Sequence, residues 1–196
     1  DQMKIYALDI EVQCENGFPN VEEAAEEMLS ITIKDMVTKQ YYSWTTKEFD
    51  APEGLILDVS WTEQEMLTNF LKWWAENTPD ILTGWNVNLY DMPYIARRIN
   101  RVLGEKWMKS LSPWNRANER EVYVQGRRNY AYDISGVNIL DYLDLYRKFT
   151  YTSQESYRLD HIAFVELGQR KVDHSEYDNF KDFYTSDWQK FMEYNI

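Results

Sequence analysis

The sequence predicts a mixed α/β fold, in which helices flank a mixed central β-sheet. Two observations predict this class. Runs rich in β-branched and aromatic residues come first along the chain. Apolar residues spaced three and four apart, which are typical of amphipathic helices, then follow and alternate with further strand-like runs. This order of elements indicates one sheet with helices packed against it.

The first three strands are predicted near the N-terminus. Residues 4–12 are mostly apolar, which is typical of a strand buried on both faces. Residues 29–33 and 40–45 are also strand-like, and we expect the three strands to form an antiparallel meander. The first helix follows, because Thr62 and Glu65 have the spacing of a capping box. Its apolar residues at helical spacing are Leu67, Phe70, Leu71 and Trp74.

The second half of the chain is predicted to contain an inserted hairpin. Residues 81–85 predict a strand, and a helix runs from Met92. The apolar stripe of that helix consists of Ile95, Ile99, Val102 and Leu103. Residues 121–133 predict an inserted β-hairpin with Arg127 and Arg128 at its tip. The elements expected after it are a last core strand at 137–143 and helices at 159–167 and 187–196.

Length and composition indicate a globular protein of about one domain. The chain has 196 residues, 44% of them hydrophobic, and only 7 Gly and 5 Pro, so disorder and low-complexity linkers are poor interpretations. Cys14 is the single cysteine, and no apolar stretch approaches the roughly 18 residues of a membrane span. The N-terminus does not resemble a signal peptide. We therefore expect a reducing, cytoplasmic location and no membrane partner.

The net charge is strongly negative. The chain has 33 Asp plus Glu against 21 Lys plus Arg, a balance of −12. That balance at first counts against a nucleic-acid partner, because phosphate binding usually requires a basic surface. A site that binds divalent cations is an exception, because it concentrates carboxylates and its cations supply positive charge.

Two acids share one face of the first predicted strand. Side chains alternate along a strand, so Asp9 and Glu11 lie side by side while Ile10 faces the other way. Adjacent carboxylates on an otherwise apolar strand are costly unless a cation or protons offset their charge, which favours a divalent metal site. An Asp-x-Glu triplet is expected about once by chance in so acidic a chain. The alternative is a strand end whose acids face solvent.

Asp91 is the third candidate acid. It follows the strand at 81–85 and precedes the helix from Met92, a position where an Asp is often an ordinary helix cap. The segment from Asn86 to Asp91 nevertheless offers a hydrogen-bonding amide, an aromatic ring and a carboxylate at one edge of the sheet. Both interpretations stay open at this point.

These segments resemble a known family. Asp9 to Glu11 resembles the first exonuclease motif of the proofreading domain of family B DNA polymerases, and Asn86 to Asp91 resembles the second. Segments 136–146 and 157–160 are similar to the stretch between that family's second and third motifs. The Gly-Phe-Pro at 17–19, the Leu-Ser-Pro at 111–113 and the arginine-tipped hairpin are most similar to the replicative polymerases of T-even-type bacteriophages.

The resemblance implies a ribonuclease-H-like exonuclease fold and a two-metal site for Mg²⁺ or Mn²⁺. By resemblance Asp9 bridges the two ions, Glu11 binds one of them and helps to position the attacking water, and Asp91 supports the second. Tyr194 matches the tyrosine of the third motif and orients that water. The motif's aspartate falls two residues beyond Ile196. We therefore expect residues 1–196 to be one exonuclease domain of a larger polymerase, truncated within the third motif and of low activity.

The resemblance also implies substrate contacts and partners. Phe18 matches an aromatic residue beside the frayed 3′ end, Asn86 lies near the terminal nucleotide, and Arg128 matches a hairpin arginine. The alternatives without a DNA contact are that Phe18 is a partly buried loop anchor and that Arg127 and Arg128 are solvated surface charges. The implied partners are the 3′ end of single-stranded DNA, primer–template DNA, the remaining polymerase domains, and a sliding clamp with other replisome proteins.

Two other functions remain open. One is a free-standing exonuclease of the same fold. The other is a scaffold domain whose acids do no chemistry.

Overall fold

The computed structural model describes residues 2–15, 17–171 and 173–196, which form a mixed α/β fold. The strands are β1 (Ile5–Val12), β2 (Met28–Asp35), β3 (Tyr41–Thr45), β4 (Leu55–Val59), β5 (Ile81–Gly84), β6 (Ala117–Val124), β7 (Arg127–Ile134) and β8 (Asn138–Asp141). The helices are α1 (Glu63–Asn77), α2 (Asp91–Val102), α3 (Glu105–Lys109), α4 (Tyr142–Phe149), α5 (Leu159–Leu167), α6 (Phe180–Ser186) and α7 (Trp188–Asn195).

Six of these strands form a mixed sheet in the order β4-β3-β2-β1-β5-β8. β2 is antiparallel to β1 and to β3, so the predicted meander is confirmed. β5 is parallel to β1 and to β8, which confirms a mixed sheet. β4 was not predicted, and it adds a parallel edge strand beside β3.

β1 lies inside the sheet and has one buried face. Tyr6, Leu8, Ile10 and Val12 are buried in the main core, whereas the opposite face is half-buried and Asp9 is exposed. The prediction that both faces are buried is therefore wrong. The physical reason is that the second face carries the two acids, and burying an ionised carboxylate without a partner is costly.

The two longest helices begin near the positions that the sequence predicts. Thr62 caps α1, since its hydroxyl accepts a hydrogen bond from the Glu65 amide at 3.2 Å. The Glu65 carboxylate in turn accepts from the Trp61 amide at 3.0 Å, which completes a capping box. α2 begins at Asp91, one residue before the predicted start, and buries the predicted Ile95 and Ile99.

Four side chains of α2 hold the loop between β1 and β2 by its main chain. The Tyr94 hydroxyl donates to the main-chain carbonyl of Glu26. The three arginines of the helix donate to the carbonyls of the four residues that precede Glu26 in the loop. The pairs are Arg98 with Ala24 and Ala25, Arg101 with Glu23, and Arg97 with Glu22. Five consecutive carbonyls are therefore bound by one helix, and we call these contacts the α2 clamp.

The inserted hairpin consists of β6 and β7 and is longer than the predicted 121–133. Its turn is Gln125–Gly126, both with positive φ, so Arg127 and Arg128 begin β7 instead of forming the turn. The predicted last strand at 137–143 is shorter, because β8 ends at Asp141 and α4 starts at the next residue.

The C-terminal part forms a second, smaller core. α5 spans the predicted 159–167, and α7 agrees with the predicted helix to within one residue at each end. Phe183, Phe191 and Met192 are fully buried against Leu29 of β2. None of the helices formed by the described residues is long and apolar enough to cross a lipid bilayer.

Candidate active site

Asp9 and Glu11 lie on β1 where that strand extends beyond its neighbour. β5 pairs with β1 only as far as Ala7, whereas β2 continues opposite Asp9 and Glu11. The register shifts between Glu11 and Val12, which marks an irregularity at the end of the strand. The side of β1 that β5 leaves unpaired is therefore open to another element.

The first residue of α2 takes that place. The Asp91 side chain is buried, and its Oδ1 accepts a hydrogen bond of 3.2 Å from the amide of Ile10. Because Ile10 stands between Asp9 and Glu11, this bond brings acids of two distant segments together. Tyr90 is the N-cap residue and α2 has no side-chain cap, so the interpretation of Asp91 as an ordinary helix cap is wrong.

The pKa of each of the three acids is raised above its usual value. Burial and the charge of Asp9 raise the pKa of Glu11 to about 8. The same two causes raise the pKa of Asp91 well above its usual value. Burial within the sheet edge also raises the pKa of Asp9, although its side chain keeps exposed surface, and Lys171 opposes that shift. Ionised carboxylates in this position therefore need nearby positive charge.

Lys171 supplies part of that charge, and sequence reasoning missed it. It lies between α5 and α6, and its pKa is raised by Tyr194 first and then by Asp9 and Glu11, against the effect of burial. Its ammonium lies 4.2 Å from the ring centre of Tyr194. The Asp160 carboxylate accepts a hydrogen bond from the Lys171 amide at 2.8 Å and so fixes its main chain. Lys171 stands in a polar stretch without periodicity, so no sequence pattern marks it.

Tyr194 reaches the acids through this lysine. It lies on α7, and its ring packs edge-on against His174 at 5.3 Å between ring centres. His174 in turn stacks on Phe183, which is fully buried. The predicted catalytic tyrosine is thus held by an aromatic cluster on one side and faces Lys171 on the other.

The donor set is suited to a hard divalent cation, because the available ligands are carboxylate oxygens. In residues 2–15, 17–171 and 173–196, however, no three His, Cys, Asp or Glu side chains converge closely enough to hold one ion together. Concavities of about 430 and 330 Å³ lie beside β3 and β4 and at the base of the hairpin, away from these acids. The acids therefore line an open edge of the sheet.

Comparison with known proteins identifies the family. Residues 1–162 match the family described as DNA polymerase family B, exonuclease domain. This chain belongs to that family. The match includes Asp9, Glu11 and Asp91, and the observed mixed sheet flanked by helices agrees with a ribonuclease-H-like exonuclease fold.

Phage and archaeal polymerases are among the relatives. The chain is 30% identical to a DNA-directed DNA polymerase of Escherichia phage RB69 over 100% of its length, and 29% identical to that of Enterobacteria phage T4 over 99%. A DNA polymerase of Thermococcus gorgonarius is 30% identical over 87% of the chain and 20% of its own length. The chain spans 24% of each phage polymerase, about a quarter of its length.

Phe18 of this family B exonuclease domain is an exposed ring beside the acids. Its side chain is 82% exposed, and its ring centre lies 5.1 Å from that of Tyr90. Tyr90 directly precedes Asp91, and the charges of Asp91 and Glu11 help burial to raise its pKa. With this exposure Phe18 is not a partly buried loop anchor, and its free face is available for stacking.

Asn86 lies in the turn that follows β5. Its φ is +64°, and its main-chain amide donates to Asp141 Oδ1 at 3.0 Å. The main-chain amide of Asn88 donates to the other oxygen of the same carboxylate at 2.9 Å. Asp141 thus holds the main chain of the turn that leads to Asp91.

Arg128 lies on the hairpin and is already paired. Its Nη2 lies 2.7 Å from Glu22 Oε1 and its Nη1 lies 3.9 Å from Glu121. Within the described part of the chain it makes no hydrogen bond or ion pair with the three acids. The structure therefore joins Asp91 to the main chain between Asp9 and Glu11, and places Phe18 against Tyr90 and Tyr194 beside Lys171. Asn86 is held by Asp141, and Arg128 lies on the separate hairpin.

Proposed function

We propose that this chain is a 3′-to-5′ proofreading exonuclease domain. Its substrate is the terminal phosphodiester of single-stranded DNA or of a mispaired primer end. The observation that carries the proposal is the hydrogen bond from the Ile10 amide to Asp91, because it joins the acids of two segments 81 residues apart in one open edge. Membership of the exonuclease-domain family and the phage polymerase relatives support it.

Mg²⁺ or Mn²⁺ is the proposed cofactor, and Asp9, Glu11 and Asp91 are the residues that would hold two such ions. Bound ions of this kind lower the pKa of water and offset the charge of the phosphate that is attacked. The protein's own part is to keep three carboxylates available at one edge. Because the pKa of Glu11 and of Asp91 is raised, a cation that binds these acids would have to displace protons from them.

Tyr194 and Lys171 are proposed to assist the three acids. The Tyr194 hydroxyl would orient the attacking water, and the ammonium beside its ring would hold that tyrosine near the acids. Phe18 would stack on a base at the 3′ end, which needs no particular sequence. The turn at Asn86 would contact the terminal nucleotide.

We further propose that the 196 residues alone hydrolyse DNA slowly. The family's third motif places an aspartate four residues after its tyrosine, and the sequence reads Asn195 and Ile196 after Tyr194. Mg²⁺ tolerates incomplete coordination poorly, so a missing oxygen ligand weakens its binding. The whole enzyme proposed around this domain would be a DNA-directed DNA polymerase in the host cytoplasm, with its other domains, a sliding clamp and replisome proteins as partners.

Mn²⁺ binding, measured by electron paramagnetic resonance of the free ion, tests the metal site. Glu11→Gln should lower the affinity at least about tenfold, because metal centres lose that much even from changes beyond their ligands. Glu53→Gln, which removes the same charge from an exposed loop residue, is the matched control and should bind as the parent does. Equal affinity in both variants would show a scaffold without a metal site.

Hydrolysis of a labelled single strand in Mg²⁺ tests the activity. The chain lengthened by two residues, with an aspartate at the second added position, should cut the 3′ end faster than the 196-residue chain. Asp9→Asn in the longer chain should abolish the cutting. Equal rates for the two lengths would contradict the role proposed for the fourth acid, and cutting by the Asp9→Asn variant would contradict the proposed site.

A further inference from the structure

Glu22 lies where three side chains of the hairpin and of α2 converge. Its carboxylate Oε1 accepts from Arg128 Nη2 at 2.7 Å and from the Tyr130 hydroxyl at 2.9 Å. Its amide donates to Asn20 Oδ1 at 2.8 Å, and its carbonyl accepts from Arg97 as part of the α2 clamp. The main chain of Glu22 is thus held by two hydrogen bonds, which keep its carboxylate within reach of the hairpin.

The surrounding groups form an anion-binding cluster that carboxylates occupy. The guanidinium of Arg97 lies 4.2 Å from the Tyr130 ring centre and that of Arg128 lies 5.5 Å from it. Arg97 also pairs with Glu119 through two nitrogens, at 2.7 and 2.9 Å. Two arginines beside a tyrosine are groups that bind phosphate oxygens and stack on bases. Here Glu22 holds the anion position in front of Arg128.

We propose that Glu22 is an internal substitute for a DNA phosphate: it holds Arg128 in the free chain and gives it up to the backbone of a bound strand. The proposal rests on the proposed function, because it assumes that DNA passes the hairpin. Glu22 thereby lowers the affinity for DNA and keeps the hairpin joined to the loop that carries Phe18 until a strand arrives.

The exchange is possible because the pair is weak and accessible. The side chains of Arg128 and Glu22 are 48% and 49% exposed, and ion pairs this exposed contribute little because water screens them. When Arg128 leaves, Glu22 keeps the Tyr130 hydroxyl and reaches water, so no buried charge is left without a partner. A DNA strand offers a run of phosphates with condensed counterions, and releasing those counterions favours the exchange at low salt.

Arg127 provides an internal comparison. It is the neighbouring residue on β7, it is exposed, and its side chain makes no ion pair within the described residues. If hairpin arginines bind DNA, Arg127 contributes in the parent chain, whereas Arg128 contributes fully only after Glu22 is neutralised.

The test is DNA binding in EDTA, measured by fluorescence anisotropy with a labelled primer–template that has a mismatched 3′ end. Glu22→Gln should raise the affinity about threefold to fivefold at low salt, the upper part of the range of one exposed ion pair. The slope of log affinity against log salt should change by less than the roughly 0.7 to 0.9 of one phosphate, because Arg128 meets the same phosphate in both chains. Glu23→Gln, which removes the adjacent exposed charge, should change the affinity less than twofold.

Double variants decide whether Arg128 is responsible. The gain from Glu22→Gln should disappear in an Arg128→Gln background and persist in an Arg127→Gln background. A gain that persists without Arg128, a gain matched by Glu23→Gln, or the absence of DNA binding in all variants would each overturn the proposal. The binding assay in EDTA does not depend on metal, so it is independent of the hydrolysis assay. If Glu22→Gln does not raise the DNA affinity but the chain hydrolyses DNA in Mg²⁺, only the role of Glu22 is refuted. If Glu22→Gln raises the affinity through Arg128 but no hydrolysis occurs, only the proposed nuclease activity is refuted.

Discussion

Replacing Glu63 by glutamine removes one charge from a buried ion pair that joins α1 to α2. Glu63 and Arg98 are both buried, and their side chains meet through two bonds of 2.6 and 2.7 Å. Glu63 Oε1 also accepts from the amide of Met28, at 3.2 Å, where β2 begins. The same arginine holds two carbonyls of the α2 clamp. The pair therefore fixes the helix whose first residue is Asp91.

The expected loss follows from leaving the guanidinium of Arg98 buried without its counter-charge. Breaking a buried pair on one side typically costs about 3–5 kcal/mol. In a chain of this size each kcal/mol lowers the melting temperature by about 2–4 °C, so we expect a fall of about 6–20 °C. Thermal unfolding followed by circular dichroism measures it.

An exposed pair is the control for this substitution. Glu105 pairs with Lys109 at 2.7 Å on the surface of α3, with 67% and 42% of their side chains exposed. Glu105→Gln should leave the melting temperature unchanged, because water screens that pair. The reasoning is refuted if Glu63→Gln lowers the melting temperature no more than Glu105→Gln does.

Three further predictions concern the site and its support. Between pH 5 and 8 the folded chain binds more protons than the unfolded one, because the pKa of Glu11 is raised to about 8. Urea titrations in EDTA should therefore show that the free energy of unfolding falls as the pH rises. Asp9→Asn should make this pH dependence less steep, because the charge of Asp9 is one cause of the raised pKa. Gly84→Ala places a Cβ 2.6 Å from a main-chain oxygen of β1 and should cost about 1–3 kcal/mol of unfolding free energy; an unchanged urea midpoint contradicts this. Phe18→Ala should weaken single-strand binding in an anisotropy assay by about 1–3 kcal/mol without changing stability, whereas Trp61→Ala, which removes another exposed ring, should not weaken it.

The sequence was most informative where one local rule decides the outcome. Strand alternation placed Asp9 and Glu11 on one face because the pleat fixes a period of two. Thr62 and Glu65 marked the start of α1 because both capping bonds are local. The partner of Asp91 was not predictable, since its hydrogen bond to Ile10 depends on how α2 packs beside β1.

Other features depend on pairing that no local pattern shows. β6 was predicted too short because most of its side chains are exposed, so hydrophobic alternation is absent and β7 defines its length. β4 follows a loop with Pro52 and Gly54, and its position beside β3 makes it a strand. Lys171 lies near the acids because of the path of the connection between α5 and α6, which no local sequence pattern predicts.

The α2 clamp has a consequence for how this loop tolerates mutation. Four side chains of α2 bind main-chain oxygens, which every amino acid possesses, and the side chains of Glu23 and Ala25 are exposed. Replacing either of these residues leaves the bound oxygens in place. Inserting or deleting one residue would instead displace each carbonyl from its donor. Natural variation should therefore change Glu23 and Ala25 freely while keeping the number of residues in this loop constant.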